Sequence, residues 1–317
     1  MPENYDYSEP ARLLSRIRLS SYKTSLATQT DAQLFGAYCW NLAIVGAFYP
    51  LIQLVEVALR NALHHVAYAK YAATEGDYWF NLIPARQQQD DTGRLVVAEQ
   101  TRKFQESIKN AKRNAKKNLE NKGVVEPKPT VDQIISQCDF ATWEYLLDKH
   151  FYDGSDKNYL WPHELTKVFR KLPKVQETKN VMFHQRDALR RRIEAVRSFR
   201  NRISHNEPAW MLNSVRNKEE VVDNLLEKLD YIMELIYWIS PKFKKYVIDI
   251  GIDSRIRQIL SIRELERHMH SYKRYDVDNI QQMYDLLSAA NANNHRCYLT
   301  IKGNPGVLYP STSTLLQ

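Results

Sequence analysis

Near its middle the chain reads Arg197-Ser198-Phe199-Arg200-Asn201-Arg202-Ile203-Ser204-His205-Asn206-Glu207-Pro208. Upstream, Leu189, Ile193, Val196 and then Ile203 recur at helical spacing, so residues 185 to 205 read as an amphipathic helix with Arg200 on or beside its buried stripe. Pro208 cannot continue that helix. His205 therefore falls in its last turn or just beyond, beside the carbonyl end, where positive charge is favoured. Arg200 and His205 enclose four residues, and a permanent cation beside an imidazole is what cleaving a phosphodiester through a neighbouring hydroxyl requires.

Working outward, the periodicity is helical nearly throughout. Residues 31 to 48 start at an Asp31 cap and carry Leu34, Tyr38, Leu42 and Val45; Pro50 restarts the chain, and a second helix continues to Ala72. This apolar pair reads as a buried helical hairpin, because Asn41, Gln53, Glu56 and Arg60 interrupt the roughly 20 apolar residues that a membrane span needs. Residues 90 to 131, punctuated by Gly93, Gly123, Pro127 and Pro129, read as an exposed basic helix between two joints. A compact apolar helical segment follows at 131 to 151. Glu219 to Tyr246 has heptad-like spacing and predicts one long helix. Two more helices are expected around 256–270 and 277–290, and residues 295–317 show no period.

The 317 residues contain only 9 Gly and 12 Pro against 19 Tyr, 10 Phe and 6 Trp, which favours long uninterrupted elements over a sandwich or barrel. The fold class expected is all-α. Residues 1–248 form its main helical domain, with the basic insertion at about 90–130, and 249–317 form a C-terminal extension. Cys39, Cys138 and Cys297 are odd in number and lack C-x-x-C spacing, which fits a reducing cytoplasm and gives no metal or redox site. The first residues, acidic and polar, lack the pattern of a secretory signal.

The formal charge of +8 is unevenly placed. Glu99–Lys122 holds eight Lys/Arg against three Glu, and 167–202 holds twelve Lys/Arg against three acids, so the remainder is mildly acidic. Two basic segments on an otherwise acidic chain suit a polyanion such as RNA. Arg190, Arg191, Arg192, Arg197 and Arg202 on one segment, with Lys109, Lys112, Arg113, Lys116 and Lys117 on the other, are the candidate contacts. Arg60-Asn61-Ala62-Leu63-His64-His65 repeats the Arg/His spacing, which makes His65 an alternative second motif. Glu56 and Arg60, four apart on one helix, are better suited as buried polar partners that hold Arg200 or orient His205, with Asn61 and Ser204 in supporting positions. No phosphate loop, H-E-x-x-H or G-x-S-x-G is present, and no cofactor is expected.

The string from Phe199 to Trp210 resembles the R-x4-6-H motif of HEPN-domain proteins and, within them, the Abi-like abortive-infection family. Leu14 to Tyr22, Tyr38-Cys39-Trp40-Asn41 and Pro50 to Leu63 are similar to the opening of those proteins, so the resemblance covers about residues 12 to 240. It implies a HEPN-like helical bundle, paired as a homodimer, in which two Arg/His motifs meet and cut RNA without metal. Arg200, His205 and Asn201 would be the catalytic set, with Asn201 shaping the site. The role implied is that of a cytoplasmic toxin or antiviral-defence ribonuclease, with an antitoxin or noncoding RNA as candidate controllers and no membrane partner. The alternative is a non-catalytic module that holds RNA or a protein on the same basic surface.

Overall fold

The computed structural model describes residues 5–72, 78–210, 215–270 and 274–311. It is 63% helix and 7% strand, so the chain is mostly helical, as expected, with two small sheets besides. The helices are α1 (Ser8–Leu14), α2 (Arg16–Leu26), α3 (Asp31–Tyr71), α4 (Glu99–Glu120), α5 (Val131–Ile135), α6 (Phe140–Tyr145), α7 (Leu165–Val168), α8 (Val181–Ser204), α9 (Lys218–Ile239), α10 (Pro241–Asp249), α11 (Ile252–Ile259), α12 (Ile262–His268) and α13 (Ile280–Ala292). The strands are β1 (Gln87–Gln89), β2 (Leu95–Val97), β3 (Arg274–Val277), β4 (Cys297–Ile301) and β5 (Asn304–Leu308).

The expected hairpin at residues 39–55 is instead one 41-residue helix, α3, with Pro50 inside it. Proline removes one N–H and crowds the carbonyl four residues earlier, which here belongs to Gly46. Both residues are exposed, and nothing stands within 4 Å of a Cβ at Gly46, so the freed carbonyl stays open to solvent and the helix continues. Thr30, not Asp31, caps α3: its Oγ1 accepts from the Gln33 N–H at 3.2 Å, while Gln33 Oε1 accepts from the Gln29 N–H. Among the described residues α3 is long and apolar enough to cross a membrane by length and composition. Its stripe of Trp40, Ile44, Phe48, Ile52, Val55, Leu59 and Leu63 is buried within the protein.

The long helix expected over 219–246 breaks at Ser240, whose Oγ accepts from the Phe243 N–H and so caps α10, with Pro241 at the first helical position. The basic insertion holds an antiparallel hairpin, β1 with β2, as well as α4. That helix is not wholly exposed. Thr101, Phe104, Ile108, Ala111 and Ala115 are buried at alternating spacings of three and four, and α4 packs on α5 and α6. The C-terminal extension is also not purely helical: β3 pairs in parallel with β4, with α13 as the crossover, and β4 pairs antiparallel with β5. Lys302 and Gly303 both have positive φ, 47° and 80°, as a two-residue hairpin turn that follows the sheet twist demands.

The chain forms two compact units that are interleaved in sequence. One comprises residues 1–53, 198–233 and 244–317 and buries Tyr22, Trp40, Phe48, Trp210, Ile256 and Leu265; the extension 249–317 lies within it. In this unit α3 and α12 approach so closely at Gly36 that a Cβ there would stand 1.9 Å from the His268 carbonyl oxygen. The other comprises residues 54–197 and 234–243 and buries Trp79, Phe104, Trp143, Phe151, Trp161 and Phe169.

Candidate active site

Helix α8 ends in a complete Schellman motif, and that ending places His205. The Glu207 N–H reaches the Arg202 carbonyl at 3.2 Å and the Asn206 N–H reaches the Ile203 carbonyl at 3.1 Å. Asn206 takes the left-handed conformation, φ 54°, and His205 is the capping residue before it. Such endings usually add an apolar contact between the third-last residue and the second beyond; here the two are Arg202 and Glu207, joined by an ion pair at 3.3 Å. Local sequence thus sets the direction in which the chain leaves the helix.

A long-range clamp then holds the departing strand. Asn41 on α3 is fully buried, donates to the Glu207 carbonyl at 3.4 Å and accepts from the Ala209 N–H at 2.9 Å. Trp210 follows, fully buried, with its ring 5.5 Å from Tyr22 and 5.9 Å from Trp40. Before the motif, Phe199 takes the core position and meets Phe48 edge-on at 4.9 Å, which leaves Arg200 half-buried at the margin. Arg18 on α2 reaches the His205 carbonyl at 3.5 Å. Asn41 was not singled out as a site residue, and the signal that could have found it is a lone amide inside an apolar helical run, which must find partners when buried.

The His205 and Ser204 side chains are exposed, and Asn201 is half-buried. Ser204 Oγ donates to the Arg200 carbonyl at 2.8 Å. The decisive contrast lies among the arginines of α8. Arg186 is buried and donates to the Leu147 carbonyl at 2.6 Å. Arg190 bridges Glu144, Asp187 and Glu194; Arg191 pairs with Asp187; Arg192 pairs with Glu234 and lies over Trp238. Arg197 Nε donates to Glu144 at 2.6 Å, where burial pushes the carboxyl's pKa up and the Arg197 hydrogen bond works against it. Arg200 is different: among the described residues its guanidinium has neither an ion pair nor a hydrogen bond. A half-buried guanidinium left without an internal anion is ready to take one from outside.

Helical geometry separates Arg200 and His205 by five positions, about 140° around the axis, so they flank an edge of the helix end rather than share a face. Both are open to solvent. The second motif lies in the other compact unit, within continuous helix. There Arg60 is half-buried and donates to Asn61 Oδ1 at 3.3 Å, and Glu56 is half-buried rather than buried. His65 is exposed, its ring centroid 5.6 Å from that of His64 and tilted by 45° to it. His64 is the buried one: its Nδ1 accepts from Trp79 Nε1 at 3.0 Å, and its Nε2 lies 3.5 Å from Asp132.

Of the other predicted nucleic-acid contacts, Lys109, Lys112, Arg113, Lys116 and Lys117 form the exposed face of α4, with Lys112 over the Tyr78 ring at 4.7 Å and Lys116 3.9 Å from Glu120. The five arginines proposed on α8 and at its end are instead tied to carboxylates, Arg202 to Glu207 included. Among these predicted contacts, the cations without a carboxylate partner therefore lie on α4, at Lys109, Lys112, Arg113 and Lys117, and at Arg200, not along the arginine run. Among the described residues no group of three or more His, Cys, Asp or Glu could hold a metal ion.

The family described as Abi-like protein matches residues 7–211, a span that includes the Asn41 clamp, both Arg/His motifs and the aromatic anchor at Trp210. No curated protein and no solved structure matches the chain. The extent of the family match, ending one residue beyond Trp210, makes the chain a member of the Abi-like protein family.

Proposed function

We propose that the chain is a metal-independent endoribonuclease of the abortive-infection type, built on a HEPN-like helical scaffold and acting at Arg200 and His205. The observation that carries this reading is the unpartnered Arg200 guanidinium at the helix end capped by an exposed His205, on a helix whose other arginines are neutralised. In the reaction, an imidazole takes the proton of the ribose 2′-hydroxyl, whose oxygen attacks the adjacent phosphorus. Arg200 offsets the charge that grows on the phosphorane oxygens, and a protonated imidazole returns a proton to the departing 5′-oxygen. The products are a 2′,3′-cyclic phosphate and a 5′-hydroxyl. Because Arg200 and His205 of one chain diverge around the helix axis, a homodimer that brings two such motifs together supplies two imidazoles and two guanidiniums around one phosphate. The exposed cations of α4 would hold the rest of the strand, and Asn201 would shape the site. Membership of the Abi-like family supports an abortive-infection role; RNA as the substrate and the cytoplasm as the place of action complete the proposal.

The test uses the whole chain with end-labelled structured RNA in EDTA, beside Arg200→Ala and His205→Ala. The wild type should leave 2′,3′-cyclic ends, each variant should lose at least about 100-fold in rate while keeping its fold, and DNA or 2′-O-methyl RNA should resist. Binding that persists without any cleavage by the wild type would replace this reading with the non-catalytic one, which the α4 cation face alone could serve.

A further inference from the structure

The unit that holds Arg200 and His205 also contains a cavity of about 690 Å³ lying between the Gly46–Pro50 turn of α3, helix α11 and the segment that follows β5. Most of the residues that form it lie beyond the family match. Its size is that of sites that enclose a small organic molecule. Ile252, Ile259 and Pro50 give it apolar walls, and its lining contains two arginines and no carboxylate.

Of those arginines Arg255 is wholly available and Arg296 only through its Nε. Arg255 is exposed, and its guanidinium has no hydrogen bond or ion pair among the described residues. Arg296 is fixed on one side by the buried Glu264 at 3.3 Å and lies 5.0 Å from the Tyr309 ring centroid, yet its Nε is buried without a partner. An orphaned buried N–H costs free energy that a ligand acceptor would recover. Tyr309 is largely exposed, offering a flat ring at the rim, and the almost fully buried Gln258, whose amide carries both a donor and an acceptor, is a residue of the lining.

We infer that this cavity binds a nucleoside phosphate, free or at the end of an RNA strand. The unpaired Arg255 guanidinium and the unpartnered Nε of Arg296, whose carboxylate partner Glu264 lies outside the lining, select an anion with phosphate geometry. The apolar walls and the Tyr309 ring accept a planar base, and Gln258 reads its polar edge. A simple inorganic anion uses only the first of these features, and a neutral aromatic only the second. The site is separate from the Arg200/His205 turn and stands whether or not RNA is cut there.

The experiment is calorimetric titration of the full chain with the four nucleoside monophosphates, ATP, adenosine, inorganic phosphate and a short 5′-phosphorylated RNA. Saturable binding is expected for at least one phosphorylated nucleoside, at least tenfold tighter than for adenosine or inorganic phosphate. Arg255→Glu, which breaks no internal contact, should weaken it at least tenfold. Gly46→Phe offers a second route: nothing lies within 4 Å of a Cβ there, so the ring can enter the cavity and exclude the ligand without unfolding the chain. Arg200→Ala should leave the affinity unchanged. A preference for the RNA over mononucleotides that is lost in Arg255→Glu and absent from the same RNA bearing a 5′-hydroxyl assigns the strand end as the source, and a preference for mononucleotides assigns the free nucleotide. The proposal is overturned by absent binding, by adenosine or inorganic phosphate binding equally well, by indifference to both Arg255→Glu and Gly46→Phe, or by loss of binding in Arg200→Ala, which would move the ligand to the other site.

Discussion

The side chain of Asn41 and the backbone N–H of Ala209, 168 residues apart in sequence, are joined by a hydrogen bond of 2.9 Å in the protein interior. With its second bond, to the Glu207 carbonyl, Asn41 turns an otherwise irregular segment into a fixed exit from α8. The position of His205, one turn earlier, depends on that fixation.

Replacing Asn41 with Leu keeps its bulk but leaves the buried Ala209 N–H unpaired, at about 1–3 kcal/mol, and takes the amide donor from the more exposed Glu207 carbonyl. The expected result is an unfolding free energy lowered by about 2 kcal/mol or more, read as a lower urea midpoint at unchanged slope. The proposed RNA cleavage, assayed on the remaining folded fraction, should fall as well, because the turn carrying His205 loses its anchor. Unaltered stability in urea melts would show that water takes over both bonds.

Asn206 occupies the left-handed conformation that ends α8. Asn206→Gly should be neutral or slightly stabilising, whereas Asn206→Val should cost about 1–2 kcal/mol, because a branched Cβ crowds its own carbonyl there. Thermal melts of the two variants check the order, and equal melting temperatures would contradict the assigned motif.

Arg197 and the lysines of α4 should respond oppositely. Arg197→Met removes the closest partner of the buried Glu144 and should destabilise by about 3–5 kcal/mol, measured by denaturant unfolding. Lys109→Ala, Lys112→Ala or Lys117→Ala should leave stability nearly unchanged. Each should instead lower the slope of log affinity for RNA against log salt by about one per lost phosphate contact. Loss of RNA affinity in a fully stable Arg197→Met would contradict the pairing as the reason for that residue.

His64 carries a pH dependence whose sign follows from its contacts. Burial, more than the nearby His65 and Arg60, holds its pKa below the ordinary value against the opposing pull of Asp132. Its Nδ1 accepts from Trp79, so the folded state needs it neutral. The unfolded chain therefore takes up this proton first as pH falls, and the contribution, full above about pH 6.5, is lost below it. Urea midpoints should drop between pH 7.5 and 5.5, and His64→Gln should flatten part of that drop. An equally steep drop in the variant would shift the cause to other histidines.

What could be read before folding was local in origin. The stop at Pro208 and the buried stripe through Leu189, Ile193 and Val196 depend on residues within one or two turns, as does the helical character of most of the chain. Pro50 misled because the cost of a proline depends on whether the carbonyl it frees faces solvent, a property of tertiary burial. The α4 stripe was hidden by its own composition: two of its five buried positions are Ala111 and Ala115, which look neutral beside so many lysines. The C-terminal segment, which shows no period in the sequence, holds a strand at Cys297 to Ile301 and a turn at Lys302-Gly303. Its parallel partner, however, lies across α13, and pairing at that range leaves no periodic trace.

The sequence by itself determined a mostly helical chain carrying an Arg/His pair at the end of a basic helix, because periodicity and caps act over a few residues. Only the tertiary structure decided which cations are free. Arg190, Arg191, Arg192 and Arg197 became structural when folding brought Asp187, Glu144, Glu194 and Glu234 within reach, and Arg200 was left unpaired. A guanidinium's availability is settled by the carboxylates that surround it in space, and part of that neighbourhood comes from residues far away along the chain.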